Sequence, residues 1–287
     1  MSERKIRARR SLLFAPADRP ELFAKALATG ADMVCIDLED AVPPGDKAAA
    51  RATAMALLAT PCADDGVERL LRINNLRGSE GLRDIEAILE SPASPGALLL
   101  PKVESADELR LLGELLSTGP QADIRLHVII ETNAGLEAAH EIVQASPRLD
   151  LMAFGGVDMA AELRSRPTWE AFLYTRSRLV TAAAGAGVDL LDVPHLDLSD
   201  RDGMVADAEQ ARNLGFTGKA AIHPSQVAAI NAVFSPLPKE VSRARQIIAA
   251  FEASPNGVVV IDGKLIEAPV LRSMRRLIAV AERIAAS

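Results

Sequence analysis

Short apolar runs recur along the chain, and each is about the length of a β-strand. The eight runs are SLLFAP, DMVCIDL, ERLLRI, ALLLPK, IRLHVIIE, DLMAFGG, GVDLLDV and GFTGKAAIH. Several are apolar almost throughout, which is typical of strands buried on both faces of a parallel sheet.

Segments with apolar residues at helical spacing lie between these runs. They are RPELFAKALATG, GDKAAARATAMALLA, SEGLRDIEAILE, SADELRLLGELL, NAGLEAAHEIVQ, TWEAFLYTRSRLVTAAAGA, RDGMVADAEQARNLG and PSQVAAINAVF. Strands that alternate with helices in this way predict an α/β fold, the (β/α)8 TIM barrel. A doubly wound open sheet is the alternative, but the loop FAPADRP lacks the Gly-rich phosphate-binding sequence typical of that fold.

The predicted barrel occupies residues 1–235, and residues 236–287 form a C-terminal helical extension. The extension follows the Pro-rich stretch SPLPKE and contains a helix, a short strand in GVVVIDGK and a last helix from Pro269 to Ala286. Because it is surplus to a complete barrel, we expect it to pack on its own subunit or to cover a neighbouring subunit's site.

Composition narrows the functional class. The chain has 287 residues, of which 49% are hydrophobic, and its longest apolar stretches are too short to span a bilayer. The start MSERKIRARR has no apolar export region, so we expect a cytoplasmic protein with no membrane partner. The net charge of −7 and the aromatic content of 3% argue against a nucleic-acid partner.

Two smaller features have plain interpretations. Cys35 in a predicted strand and Cys62 in a loop are expected to be reduced thiols. The basic run RKIRARR is either a solvated arm or a contact for an anionic ligand near the first strand.

Charged side chains follow nearly every predicted strand, and active sites of barrels form at these C-terminal strand ends. In chain order they are Asp37, Glu39, Asp40, Arg72, Lys102, Glu131, Asp158, His195, Lys219 and His223. His127 differs from them because it lies within an apolar strand, where a satisfied core histidine is the simpler interpretation.

The residues alone leave two interpretations for each group. Glu131 and Asp158 suit Mg²⁺, which needs only one or two protein carboxylates, but each could instead cap the helix that follows it. Arg72 could hold a carboxylate or an oxyanion, or it could form a structural ion pair with Asp37 or Glu39. The acids of DLEDAV could equally end a strand and cap the next helix.

A set of motifs spread over nearly the whole chain resembles the citrate lyase β-subunit-like family of the HpcH/HpaI aldolase superfamily. The motifs, in order, are RSLLFAPADRPE, DMVCIDLEDAV, LRIN, LLLPKVES, IIET, FGGVDMAAEL and GFTGKAAIHPSQV. The resemblance implies a TIM barrel, usually trimeric, that makes or breaks a C–C bond next to an acyl thioester using Mg²⁺. A homotrimer or homohexamer is therefore expected.

The resemblance also implies roles for individual residues. Glu131 and Asp158 match the family's metal ligands, and Arg72 matches its substrate-binding, catalytic arginine. Asp37 and Glu39 match supports for that arginine and for the metal's waters. In the chemistry that follows from these roles, the backbone amides of Gly155 and Gly156 approach the substrate carboxylate, because neither residue has a Cβ.

Two stretches depart from the family pattern. GKLIEAP places Glu267 where the family has an aspartate that reaches a neighbouring subunit's site and transfers a proton. ETNAGLEAA lacks the proline-containing sequence common after the metal-binding glutamate. These departures leave the substrate open.

The expected reaction is cleavage or formation of a malyl-CoA or citramalyl-CoA type thioester, with acetyl-CoA and a small keto acid, glyoxylate or pyruvate, as the other partners. A citrate lyase β subunit, whose partner is an acyl carrier protein and whose product is oxaloacetate, is one alternative. A malyl-CoA thioesterase or malate-synthase-like enzyme is another. A catalytically silent CoA-binding scaffold is the non-enzyme alternative.

Overall fold

A computed structural model describes residues 7–60, 65–92, 94–254, 259–261 and 264–285. Eight parallel strands form a closed barrel in which each strand pairs with its neighbours in sequence and β1 pairs with β8. The strands are β1 Ser11–Pro16, β2 Met33–Asp37, β3 Glu68–Arg72, β4 Ala97–Leu100, β5 Arg125–Ile130, β6 Leu149–Phe154, β7 Asp189–Asp192 and β8 Gly218–Ala221. The prediction of a (β/α)8 TIM barrel is confirmed.

Nine helices belong to the described barrel. They are α1 Pro20–Leu27, α2 Lys47–Ala59, α3 Ser79–Glu90, α4 Ala106–Leu115, α5 Asn133–Ile142, α6 Gly156–Leu163, α7 Trp169–Ala186, α8 Arg201–Leu214 and α9 Pro224–Phe234. The short α6 is additional to the eight predicted helical segments, and it follows β6 directly. No described helix combines the length and the hydropathy that crossing a bilayer requires.

Side chains alternate between the barrel interior and the layer beneath the helices, as the period of two of a strand requires. In β2, Met33 and Cys35 belong to the interior cluster, whereas Val34 and Ile36 pack in the larger cluster with the helices. Cys35 is buried and its thiol is free, as predicted. Cys62 lies outside the described residues.

An ion network closes the N-terminal end of the barrel. Arg9 donates through Nε and Nη2 to Glu68, and its Nη1 lies 3.3 Å from an oxygen of Asp189. His127 is fully buried, with its Nε2 atom 2.9 Å from Asp150 Oδ1. It is therefore a partnered core histidine, far from the strand ends where active sites form.

A second compact unit comprises residues 235–287 together with the first eight residues of the chain. Its described elements are α10 Pro238–Glu252, β9 Val259–Ile261, β10 Lys264–Ile266 and α11 Ala268–Ala285. The two strands pair antiparallel, where the sequence predicted one strand. Asp262 and Gly263 separate them in sequence, and Asp-Gly is a strong hairpin signal that the prediction did not use.

Candidate active site

Arg72 and Asp37 form a bidentate ion pair at the C-terminal end of the barrel. The β2–β3 register places the two residues side by side at the ends of their strands. Arg72 donates Nε to Asp37 Oδ1 at 2.7 Å and Nη2 to Asp37 Oδ2 at 2.6 Å. Asp37 also accepts the backbone N–H groups of Glu39 and Ala41, so four donors hold one carboxylate.

Two acids and one aromatic ring contact the rest of the Arg72 guanidinium. Its Nη1 lies 2.8 Å from Glu39 Oε2 and 3.6 Å from Asp40 Oδ2. The ring of Phe14 lies below the guanidinium, with its centroid 5.0 Å from Cζ, in cation–π range. Burial opposes the positive charge, but the bond and the charge of Asp37 outweigh it and raise the pKa of Arg72.

The acids after β2 therefore support an arginine, and they do not cap α2. A 3₁₀ turn over Pro44–Asp46 separates them from that helix, which begins at Lys47. The structural ion pair and the proposed catalytic role of Arg72 involve the same atoms, so the two interpretations of the sequence are compatible.

Glu131 follows β5 and is 4% exposed. Its Oε1 accepts the backbone N–H of Lys102 at 2.9 Å. Burial, together with the charges of Glu39 and Asp158, raises the pKa of Glu131 to about 8. Thr132 caps α5 by accepting the N–H of Gly135, so the capping interpretation of Glu131 is not what the structure shows.

Asp158 lies in the first turn of α6, with 41% of its side chain exposed. This position agrees with the expected contact between an acid and a helix N-terminus, and it leaves the carboxylate open to a ligand. Among the described residues, no group of three or more His, Cys, Asp or Glu side chains is arranged to hold a metal ion. The predicted site has two carboxylates.

The two glycines after β6 have different roles from the shared one that was expected. The N–H of Gly155 donates to the carbonyl of Ile130 at 3.0 Å, so this amide already has an acceptor within the barrel. A Cβ on Gly155 would lie 2.3 Å from Glu131 Oε2, so this glycine provides the space that the glutamate occupies. Gly156 begins α6, where helical N–H groups have no intrahelical acceptor.

A cavity of about 440 Å³ opens at this end of the barrel. Its walls include Phe14, Asp37, Asp40, Arg72, Glu131, Gly155, Gly156 and Asp158. The structure therefore brings together most of the side chains predicted at the strand ends. A second cavity of about 380 Å³ lies beside it and shares Gly156 and Val157 as lining residues.

Three of the basic residues predicted at the strand ends do not line the first cavity. Lys219 is buried, and its Nζ donates to Asp192 Oδ2 at 2.7 Å. His195 lines the second cavity, with its Nδ1 atom 2.8 Å from Asp207 Oδ2. His223 is exposed, with its Nδ1 atom 2.8 Å from Ser225 Oγ.

Sequence reasoning placed Lys102 at the mouth of the barrel but gave it no role. Its Nζ donates to Glu39 Oε1 at 2.6 Å and lies 4.0 Å from Asp158 Oδ2. Phe14, below Arg72, was also missed. The signal for Lys102 was a lone cation at a strand end surrounded by acids, whereas a phenylalanine in an apolar strand gives no such signal.

Glu267 belongs to the second unit. It immediately precedes α11, and its carbonyl accepts the N–H of Val270 at 3.0 Å. This is the position of a helix cap.

Comparison with known proteins identifies the family. A model of the HpcH/HpaI aldolase/citrate lyase family matches residues 10–224. A (3S)-malyl-CoA thioesterase of Cereibacter sphaeroides is 38% identical over 283 residues, covering 96% of each chain. An L-malyl-CoA/beta-methylmalyl-CoA lyase of the same organism is 34% identical over 309 residues, covering 98% of this chain and 96% of the relative.

A solved structure agrees with these relatives. The CitE protein of Mycobacterium tuberculosis, in complex with magnesium, acetoacetate and coenzyme A, aligns with a TM-score of 0.77 and 31% identity. The alignment covers 96% of this chain and 98% of that one.

The closed barrel and its carboxylate-lined mouth define a TIM-barrel enzyme. The chain belongs to the HpcH/HpaI aldolase/citrate lyase family, whose members include carbon–carbon lyases. The resemblance read from the sequence motifs is confirmed.

Proposed function

We propose that this protein is a Mg²⁺-dependent carbon–carbon lyase that cleaves or forms a malyl-CoA or citramalyl-CoA type thioester, with acetyl-CoA and glyoxylate or pyruvate as the small partners. One observation carries the proposal: a fully anchored arginine and a pair of available carboxylates line the same cavity. A protein that only bound CoA would need neither.

The donor set fits a divalent cation. Burial, together with the charges of the neighbouring carboxylates Glu39 and Asp158, raises the pKa of Glu131 to about 8. A cation held by Glu131 and Asp158 would relieve the repulsion, and oxygen ligands are those that Mg²⁺ prefers. When bound, Mg²⁺ supplies Lewis-acid polarisation of substrate oxygens.

The protein's own groups account for the other parts of the reaction. In the cleavage direction the substrate hydroxyl loses its proton to water and becomes the keto group as the bond between the two carbons breaks. The electron pair of that bond passes to the thioester fragment as an enolate, whose negative charge Arg72 would stabilise. Asp37 and Glu39 fix the plane of the guanidinium, so little reorganisation is needed. The N–H of Gly155 already donates within the barrel. We therefore assign binding of the keto-acid carboxylate to the N–H of Gly156.

Protonation of the thioester carbon requires an acid, and we assign this role to Glu267 of a neighbouring subunit. The proposal includes a homotrimeric or homohexameric assembly, because a residue can act in a neighbour's site only in an oligomer.

Thioester hydrolysis is the second candidate function. It is favoured by the (3S)-malyl-CoA thioesterase that is 38% identical over 283 residues, a relative more similar than the lyase that is 34% identical. Hydrolysis of malyl-CoA would use the same cavity but would release malate and free CoA.

One experiment separates the candidates. The purified protein is incubated with malyl-CoA, citramalyl-CoA and citryl-CoA, with Mg²⁺ or with a chelator, and the products are identified by mass. We expect acetyl-CoA with glyoxylate or pyruvate, only when Mg²⁺ is present. Free CoA with intact malate would establish the thioesterase instead.

Matched variants test the site in the same assay. Glu131→Gln and Asp158→Asn are expected to lose metal-dependent turnover while they remain folded. Glu137→Gln is the control, because Glu137 is an exposed carboxylate on α5 that pairs with Arg178. Full activity of both site variants at limiting Mg²⁺ would remove the two carboxylates from the proposal.

A further inference from the structure

Lys102 has a backbone conformation that residues other than glycine rarely adopt, with a φ of 53°. Such a conformation costs free energy, and it persists only where the surroundings fix it. Here the N–H of Lys102 donates to Glu131, and its carbonyl accepts Nη2 of Arg77 at 2.8 Å. The unusual turn after β4 therefore points the amide of one residue at the proposed metal site.

The side chain of Lys102 is directed at the same group of acids. Its Nζ bonds Glu39 Oε1 at 2.6 Å, while Arg72 Nη1 lies 2.8 Å from the other oxygen, Oε2. Each oxygen of Glu39 thus faces a different cation. Lys102 Nζ is also 4.0 Å from Asp158 Oδ2, so a single ammonium lies between the arginine's support and the proposed metal ligands.

Lys102 also links Glu39 to Glu131, because its Nζ donates to Glu39 at 2.6 Å and its backbone N–H donates to Glu131 at 2.9 Å. The charge of Glu39 is among the causes that raise the pKa of Glu131, alongside burial and Asp158. Three carboxylates therefore surround Lys102, with Glu131 at its N–H and Glu39 and Asp158 near its Nζ. Three carboxylates attract a divalent cation more strongly than two. The proposed reaction needs Glu39 to stay in contact with Arg72, so another group must hold Glu39 in that position.

We propose that Lys102 is a positioning residue that reserves Glu39 for Arg72 and so leaves Glu131 and Asp158 as a two-carboxylate cation site. This inference rests on the proposed function. Removal of the ammonium would free Oε1 of Glu39 and remove a positive charge beside Asp158. Both changes would strengthen cation binding. Glu39 would also lose the bond that holds it beside Arg72.

The proposal predicts opposite changes in two measurements. In Lys102→Met, we expect the Kd of Mn²⁺, measured without substrate by electron paramagnetic resonance, to fall by about tenfold or more, because a like charge close to the ion has gone. We expect kcat to fall by about tenfold or more as Arg72 loses its orientation. A residue needed only for folding would weaken both functions together.

A double variant tests the role of Glu39. In Lys102→Met with Glu39→Gln, the third carboxylate is neutral, so the Kd of Mn²⁺ is expected to return most of the way to the parental value. Lys102→Arg keeps the charge and is expected to stay near the parent in Mn²⁺ binding. Arg110→Met is the matched control, since it removes an exposed cation on α4 that pairs with Asp107 and has no contact with Lys102.

Weaker or unchanged Mn²⁺ binding by a folded Lys102→Met protein would overturn the proposal. Lys102→Gln serves as a second neutral variant if the methionine protein does not fold, and the same result would overturn it there. Because Mn²⁺ binding is measured without a thioester, failure to find lyase or thioesterase activity would contradict the proposed function, whereas the Mn²⁺ measurements alone decide whether Lys102 controls the cation site.

Discussion

Arg72 shows how the site depends on the shape of a side chain as well as on its charge. Two parallel N–H bonds to Asp37 use one edge of the guanidinium, and Glu39 occupies a position near a third nitrogen. Phe14 below the plane limits rotation. A planar fork with five donors can satisfy these contacts at once and still face the cavity.

Arg72→Lys keeps the positive charge but loses this geometry. We expect kcat/KM to fall by about 100-fold or more, because one ammonium cannot replace two parallel bonds and also reach substrate. Steady-state kinetics with the thioester identified in the substrate panel measure this. Asp37 would lose its bidentate partner as well, so a thermal unfolding curve is needed to show that the variant is folded. Kinetics within about twofold of the parent would mean that Arg72 serves only as a structural ion-pair partner.

Strands such as β2 and β4 were predictable because they are buried on both faces and therefore read as nearly continuous apolar runs. Helix α6 was not among the eight segments read from helical spacing, although the capping alternative for Asp158 assumed a helix after it. The hairpin of the second unit was read as one strand, although its Asp-Gly sequence favours a turn.

The direction of side chains at strand ends was harder to predict than the strands. Lys219 in β8 is buried against Asp192, whereas its neighbour Ala220 lines the cavity. Successive side chains point to opposite faces, so a shift of one residue changes which of them reaches the mouth. The acids of β2 and Arg72 were placed correctly because the two strands pair in register.

Ion pairs link several strands at the N-terminal end of the barrel. Asp150 in β6 accepts from Arg125 Nε at 3.1 Å and lies 3.1 Å from Arg9 Nη2 and 2.9 Å from His127 Nε2. Burial alone would raise the pKa of Asp150, but its hydrogen bond with His127 and the surrounding positive charges outweigh this and hold it well below its usual range.

Asp150→Asn is therefore expected to destabilise the protein by about 3 kcal/mol at pH 7, because it removes one of the carboxylates that neutralise the buried Arg9 and the acceptor of His127. Asp150 has a lower pKa in the folded state than in the unfolded state, so its contribution is complete above the unfolded value of about 4 and is lost below it. The difference between parent and variant should accordingly shrink as the pH falls from 5 to 3. Urea unfolding across this range measures it.

Asp107→Asn is the control for this experiment. Asp107 is an exposed acid on α4 that pairs with Arg110, and exposed pairs contribute about 0–1 kcal/mol. A destabilisation by Asp150→Asn that stayed constant from pH 6 to pH 3 would contradict the assignment of the effect to the Asp150 charge.

At the scale of the whole molecule, the second unit has few core residues of its own. Ile247, Ile266 and Leu271 are its described buried cluster, and a core of this size does not stabilise a separate domain. Val260 and Leu265 pair across β9 and β10 while remaining 66% and 55% exposed. In the proposed oligomer, these two exposed apolar side chains are candidates for a contact with a neighbouring subunit.

Glu267 directly follows β10. Variants of Glu267 therefore test whether a neighbouring subunit completes the site. We expect Glu267→Ala to lose most turnover, since the thioester carbon would have no acid. Glu267→Asp, which matches the residue common in the family, is expected to retain more activity than the alanine variant. Parental turnover by Glu267→Ala would show that Glu267 has no catalytic role and only begins α11.

Subunit mixing tests whether the residue acts between subunits. Glu267→Ala and Arg72→Ala proteins are each expected to be inactive, but dissociation and reassociation of a mixture should create sites that have both residues intact. In randomly mixed trimers about one quarter of the sites pair the intact residues, so partial activity should return. Native mass spectrometry of differently tagged chains would verify that exchange occurred. Verified exchange with no recovered activity would mean that Glu267 serves the barrel of its own chain, because only then does each mixed oligomer contain nothing but single-defect sites.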